Sequence, residues 1–85
     1  MKKKRYAQVG TGGRARMFYE AIALNYQESC ELVAFCDMSQ VRMDFSNRML
    51  VEKCNHPAVP TYKSSDFDRM IEEQKPDVII VTTID

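Results

Sequence analysis

Val9-Gly10-Thr11-Gly12-Gly13-Arg14-Ala15 decides how this chain of 85 residues is read. It follows the short run Tyr6-Ala7-Gln8-Val9 and opens the amphipathic run Met17-Phe18-Tyr19-Glu20-Ala21-Ile22. Taken as strand, turn and helix, it fits G-x-G-x-x-[GA] with Gly10, Gly12 and Ala15 in register. Gly10 permits the tight turn out of the strand. Gly12 lacks a Cβ, so a pyrophosphate can approach the backbone. Ala15 is small enough for the new helix to lie on the strand. The chain's 3 glycines all fall inside this loop, so glycine's backbone freedom is used nowhere else.

The motif calls for an acidic residue roughly twenty positions on, at the end of the next strand. Glu31-Leu32-Val33-Ala34-Phe35-Cys36 reads as a buried strand, and Asp37 closes it. A carboxylate there can accept both ribose hydroxyls of an adenosine. Other glycine loops fail on spacing. A Walker loop needs Gly-Lys where Ala15-Arg16 stand, a short-chain dehydrogenase loop needs glycines at Arg16 and Phe18, and a methyltransferase G-x-G-x-G needs one at Arg14. The bland alternative is a generic strand-to-helix turn followed by an acidic strand end.

The remaining chain repeats the alternation. Residues 5–9 form the first strand and 14–25 the first helix, with Met17, Phe18, Ala21, Ile22 and Leu24 on its sheet-facing side. Ser39 N-caps a second helix running to Lys53, with Val41, Phe45, Met49 and Leu50 as its apolar stripe. The segment 54–60, with two prolines, is a loop, and His56 within it is read as solvated. Residues 60–63 form a short third strand. Residues 65–74 form a third helix, with Ser65 and Asp68 as a capping box and Phe67, Met70 and Ile71 inward. Lys75-Pro76 stops it, and 77–82 is a fourth strand that is again a continuous apolar run. Such a β-α-β-α-β-α-β chain predicts an α/β, Rossmann-type doubly wound parallel sheet of order 3-2-1-4. The ligand crevice then lies between strands one and four.

Composition narrows the function classes. Formal net charge is +0, so a polyanion-binding protein is not indicated. Lys2-Lys3-Lys4-Arg5 reads as a solvated lead-in to the first strand rather than a nucleic-acid or membrane contact. No long apolar segment follows it, which argues against a signal peptide or membrane span and for a cytoplasmic location. Cys30, Cys36 and Cys54 are odd in number and lack C-x-x-C spacing; they read as reduced thiols, with no metal site. An apolar strand directly before the last residue, Asp85, would lie on an unprotected sheet edge. The expectation is that residues 1–85 are the N-terminal part of a dinucleotide-binding domain, truncated after its fourth strand, with the substrate domain absent.

Four segments together carry a family resemblance. They are Gly10-Thr11-Gly12-Gly13-Arg14-Ala15-Arg16-Met17, Phe35-Cys36-Asp37, Tyr62-Lys63-Ser64-Ser65-Asp66-Phe67, and Lys75-Pro76-Asp77-Val78-Ile79-Ile80-Val81-Thr82-Thr83. In order and spacing they resemble the N-terminal domain of the glucose–fructose oxidoreductase / inositol dehydrogenase (Gfo/Idh/MocA) family. The resemblance implies an NAD(P)-dependent oxidoreductase in the full-length protein. A second domain would bind a sugar, polyol or related alcohol, and the full-length form would be a homo-oligomer. It implies cofactor binding at Gly10, Thr11, Gly12, Gly13, Arg14, Ala15 and Asp37, with Thr82 and Thr83 toward the nicotinamide. For Thr82 and Thr83, plain strand propensity is an equal reading. Arg42 could reach the adenine or a 2′-phosphate, against the reading of a solvated helix residue. Asp37, followed by Met38 rather than Arg, favours NAD over NADP.

No catalytic residue is assigned. The family's E-K-P lysine lies after a fifth strand, and Glu73-Gln74-Lys75-Pro76 closes a helix at the wrong end of the sheet. Two other function classes stay open: a non-catalytic dinucleotide sensor or regulatory protein, and NAD-assisted glycosidase-type chemistry.

Overall fold

A computed structural model describes residues 3–13 and 15–82. Their elements are β1 (Lys4–Val9), α1 (Ala15–Glu20) continuing into a π-helical turn (Ala21–Asn25), β2 (Cys30–Asp37), α2 (Gln40–Lys53), β3 (Thr61–Lys63), a 3₁₀ turn (Ser64–Asp66), α3 (Phe67–Gln74) and β4 (Val78–Val81). The four strands form one parallel sheet in the order β3-β2-β1-β4, the doubly wound Rossmann arrangement. Val9 pairs with Cys36 on one side and Val81 on the other, so β1, β2 and β4 end at the same end of the sheet.

Two cores flank the sheet. Tyr19, Ile22, Leu32, Phe35, Met43, Met49 and Leu50 fill the side carrying α1 and α2. Ala7, Val33, Ala34, Cys36, Tyr62 and Met70 fill the side carrying α3. An irregularity in β2 makes this possible: the β1 register jumps from Tyr6↔Leu32 to Ala7↔Ala34. The extra residue, Val33, shares a core with Ala34, and the alternation resets so that Leu32 and Phe35 face α1 and α2 together.

The phase of α1 is set at its first residue. Ala15 is fully buried, which turns Tyr19, Ile22 and Ala23 inward at helical spacing. Met17, Phe18 and Leu24, expected in the core, are exposed at 66%, 38% and 46%. Tyr19 packs edge-on against Phe35 with ring centroids 5.2 Å apart. The last turn widens, and Tyr26 N–H bonds back to Ala21 O at 3.0 Å, a five-residue span.

α2 begins as expected, with Ser39 Oγ accepting from the Arg42 N–H at 3.3 Å, and it ends at Lys53. Its stripe is displaced. Met43, Ser46, Met49 and Leu50 are buried, whereas Val41 and Phe45 are 77% and 53% exposed. Two adjacent faces of this helix carry apolar residues, and the buried one is disguised by the polar Ser46. Beyond α2, Asn47 pairs its side-chain amide with both backbone groups of Val59, at 2.9 and 2.8 Å, and pins the loop before β3.

α3 buries Met70, with Phe67 and Ile71 packed at the rim of its core. The expected capping box is not formed: Ser65 lies inside the 3₁₀ turn, the helix starts at Phe67, and no side chain caps it. The helix stops at Lys75, which takes left-handed angles (φ 47°, ψ 57°) while its N–H bonds Ile71 O at 3.0 Å. β4 lies at the sheet edge, as the expected order 3-2-1-4 requires, and Val81 is 64% exposed. Its entry is held by Arg5, whose guanidinium donates twice to Gln74 O and whose N–H donates to Asp77 Oδ2 at 2.8 Å. Among the described residues the three cysteines are free, and no helix is long and apolar enough to cross a membrane.

Candidate functional site

The glycine loop leaves β1 at the edge where the strands end. Gly10 has φ 91°, a left-handed angle that side chains resist, and its N–H donates to Cys36 O at 2.7 Å. The loop is thereby tied to β2. It then closes onto α1 through Ala15 N–H to Gly12 O at 3.0 Å.

Gly12 and Gly13 tell a different story. Among the described residues, a Cβ built on either would meet no atom within 4 Å beyond its chain neighbours, and neither has a positive φ. The packing of the described residues therefore gives no reason for glycine at these positions. The space above them is open, as a backbone cradle for an extended ligand requires.

That space belongs to a cavity of about 480 Å³ lined by Thr11, Gly12, Gly13, Arg16, Tyr19, Val41, Arg42 and Phe45. Its size suits a nucleotide-sized ligand. Of the residues singled out in the sequence, Thr11, Gly12, Gly13 and Arg42 meet here. Arg16, Tyr19, Val41 and Phe45 were not anticipated in the lining. The i, i+4 pair Val41 and Phe45, read as core, turns outward and forms one wall. Arg16 is bound to Glu20 at 2.6 Å, which favours its charged form. Among the ion pairs of the described residues Arg42 takes part in none.

Asp37 stands behind Thr11 rather than in the wall. Only 7% exposed, its Oδ2 accepts from both the Thr11 N–H (2.7 Å) and the Thr11 hydroxyl (2.8 Å), and its Oδ1 accepts from the Ser39 N–H (2.9 Å). Burial alone would raise its pKa. The donors from Ser39 and Thr11, with Arg42 nearby, outweigh burial and hold the carboxyl below its usual range. It is therefore an anion at neutral pH.

Thr82 directs its hydroxyl into the protein, donating to Gly10 O at 3.2 Å and accepting from Gln8 Nε2 at 2.9 Å. Ala15 is fully buried and acts by packing. Arg14 and Thr83 lie outside the described residues. Lys75, ahead of β4, sits at the opposite end of the parallel sheet from the glycine loop. Among the described residues no group of three or more His, Cys, Asp or Glu could hold a metal ion.

No protein-family model matches the chain, and no curated protein does. Solved structures do match. The chain is similar to the WlbA dehydrogenase from Chromobacterium violaceum, whose crystal structure holds NADH and UDP-GlcNAcA. The TM-score is 0.66 and the identity 25%, over 98% of this chain and 21% of that one. This chain thus spans about a fifth of the dehydrogenase's length, and the likeness joins the sheet order in establishing the Rossmann-type fold.

Proposed function

We propose that this chain is the dinucleotide-binding part of an NAD(P)-dependent oxidoreductase of the Gfo/Idh/MocA kind. Gly12 carries the reading. A glycine in this position costs conformational entropy, and nothing in the packing or backbone angles of the described residues calls for it. A ligand that must approach the backbone does call for it. Gly10, Thr11, Gly12 and Gly13 would hold the diphosphate, Asp37 would meet the adenosine ribose, and Arg42 would flank it. Arg14, Thr82 and Thr83 complete the set the sequence suggests. The bound nicotinamide would supply the hydride acceptor or donor, while the chain's own residues bind and orient it.

The likeness to a dehydrogenase solved with NADH and a UDP-linked sugar derivative supports this class of cofactor, and a sugar-like alcohol as substrate. In this reading residues 1–85 are the N-terminal part of the cofactor domain. Substrate recognition and the catalytic lysine belong to a second domain of a homo-oligomeric enzyme. NAD is favoured over NADP because the Asp37 carboxylate is ionised where a 2′-phosphate would bring a like charge. The test is equilibrium binding of NADH and NADPH to the full-length protein, followed by cofactor fluorescence. Binding of NADH with weaker NADPH supports the reading; failure of both cofactors to bind rejects it.

A further inference from the structure

The Asp37 carboxylate is nearly spent. A carboxylate offers about four acceptor positions. Three are taken, two on Oδ2 by the backbone and hydroxyl of Thr11 and one on Oδ1 by Ser39. A ribose cis-diol that donates from both hydroxyls needs two positions, and one remains. The backbone donors are fixed by the loop and by the start of α2. The Thr11 hydroxyl is the donor that a side-chain rotation can release.

We propose that Thr11 is a specificity-determining residue of the dinucleotide site, its hydroxyl acting as a latch that occupies the Asp37 carboxylate in place of a ribose hydroxyl. The inference rests on the dinucleotide reading above and adds a consequence to it. When a ribose hydroxyl binds Asp37, one charge-assisted hydrogen bond replaces another, and the net gain from that hydroxyl is small. Asp37 therefore disfavours a 2′-phosphate by its charge while contributing little to recognition of the 2′-hydroxyl itself. The latch also joins the glycine loop to the end of β2, so the phosphate cradle keeps its shape before any ligand arrives. Thr11 is 5% exposed, which shields the pair from competing water.

Calorimetric binding of ADP and 2′-deoxy-ADP to the full-length protein reads this directly, because both carry the diphosphate and adenine and differ by one hydroxyl. The wild type should bind ADP less than about threefold more tightly than 2′-deoxy-ADP, since the hydroxyl exchanges one hydrogen bond for another. Thr11→Val keeps the backbone N–H and the branched shape but removes the hydroxyl. Its ratio should rise to about tenfold or more, the worth of a hydrogen bond to a charged acceptor. Thr11→Ala, which removes bulk as well, should move the ratio the same way and serves if the valine variant folds poorly. Thr11→Ser should restore the wild-type ratio. Equal ratios in wild type, valine and alanine variants would overturn the latch while leaving dinucleotide binding intact. A protein that binds neither nucleotide would overturn the dinucleotide reading and the latch with it.

Discussion

Gln8 on β1 reaches Thr82 after β4, its Nε2 lying 2.9 Å from the threonine Oγ1 across the point where the winding of the sheet reverses. The same amide donates to Gly10 O at 3.1 Å, and the residue is fully buried. One side chain thus ties the glycine loop and the last strand together. Its Oε1 has no partner among the described residues, so the amide's contribution comes from its donor side. Replacing Gln8 by Leu leaves the Gly10 carbonyl and the Thr82 hydroxyl with fewer partners and should destabilise the fold by about 1–3 kcal/mol. A double-mutant cycle with Thr82→Val, measured by denaturant unfolding of the full-length protein, should show coupling of about 0.5–3 kcal/mol. Additive effects would remove the Gln8–Thr82 bond from the account.

Acid should act on the loop through Asp37. Its folded pKa lies below the ordinary carboxylate value, so the charged form is favoured in the folded state. The stability this supplies is present in full above the unfolded value near pH 3.9 and is lost as pH falls below it through the folded pKa. Asp37→Asn should therefore lower stability at neutral pH and flatten the dependence between about pH 5 and pH 2. Equilibrium unfolding as a function of pH checks this; an unchanged acid limb would mean that Asp37 is not held as an anion.

Lys75 should be replaceable with profit. It is exposed, and its left-handed angles suit glycine better than a residue with a Cβ. Lys75→Gly should raise stability by up to about 1 kcal/mol and the melting temperature with it, although glycine's larger unfolded-state entropy offsets part of the gain. A fall in melting temperature would show that the lysine contributes a contact outweighing its backbone cost.

The loop, the acid and the sheet order were legible in the sequence because each depends on short local patterns. Gly10 needs its positive φ, Ala15 needs its small side chain, and the apolar runs at 31–36 and 78–81 have no helical period. Helix phase was less legible. Met17, Phe18, Val41 and Phe45 look like core residues by type, yet Ala15 fixes the rotation of α1 and Ser46 marks the buried face of α2, so all four turn outward. Small or polar residues set these phases, and hydropathy gives them no weight. Val41 and Phe45 consequently became walls of the cavity, which no pattern in the sequence had suggested. The Asp37–Thr11 pairing was hidden for another reason: it joins residues 26 positions apart, and only the parallel register brings them together.

The central claim is that Gly12 is glycine for a ligand's sake, and one substitution tests it. A valine side chain at Gly12 begins in open space, since among the described residues a Cβ there meets no atom within 4 Å beyond its chain neighbours, so the fold should survive the change. The measurement is NADH binding to full-length Gly12→Val, read by cofactor fluorescence alongside the far-ultraviolet circular dichroism spectrum. The account predicts an unchanged spectrum with binding weakened by about a hundredfold or more, since the branched side chain fills the space the diphosphate needs. Wild-type affinity in a folded variant would contradict it.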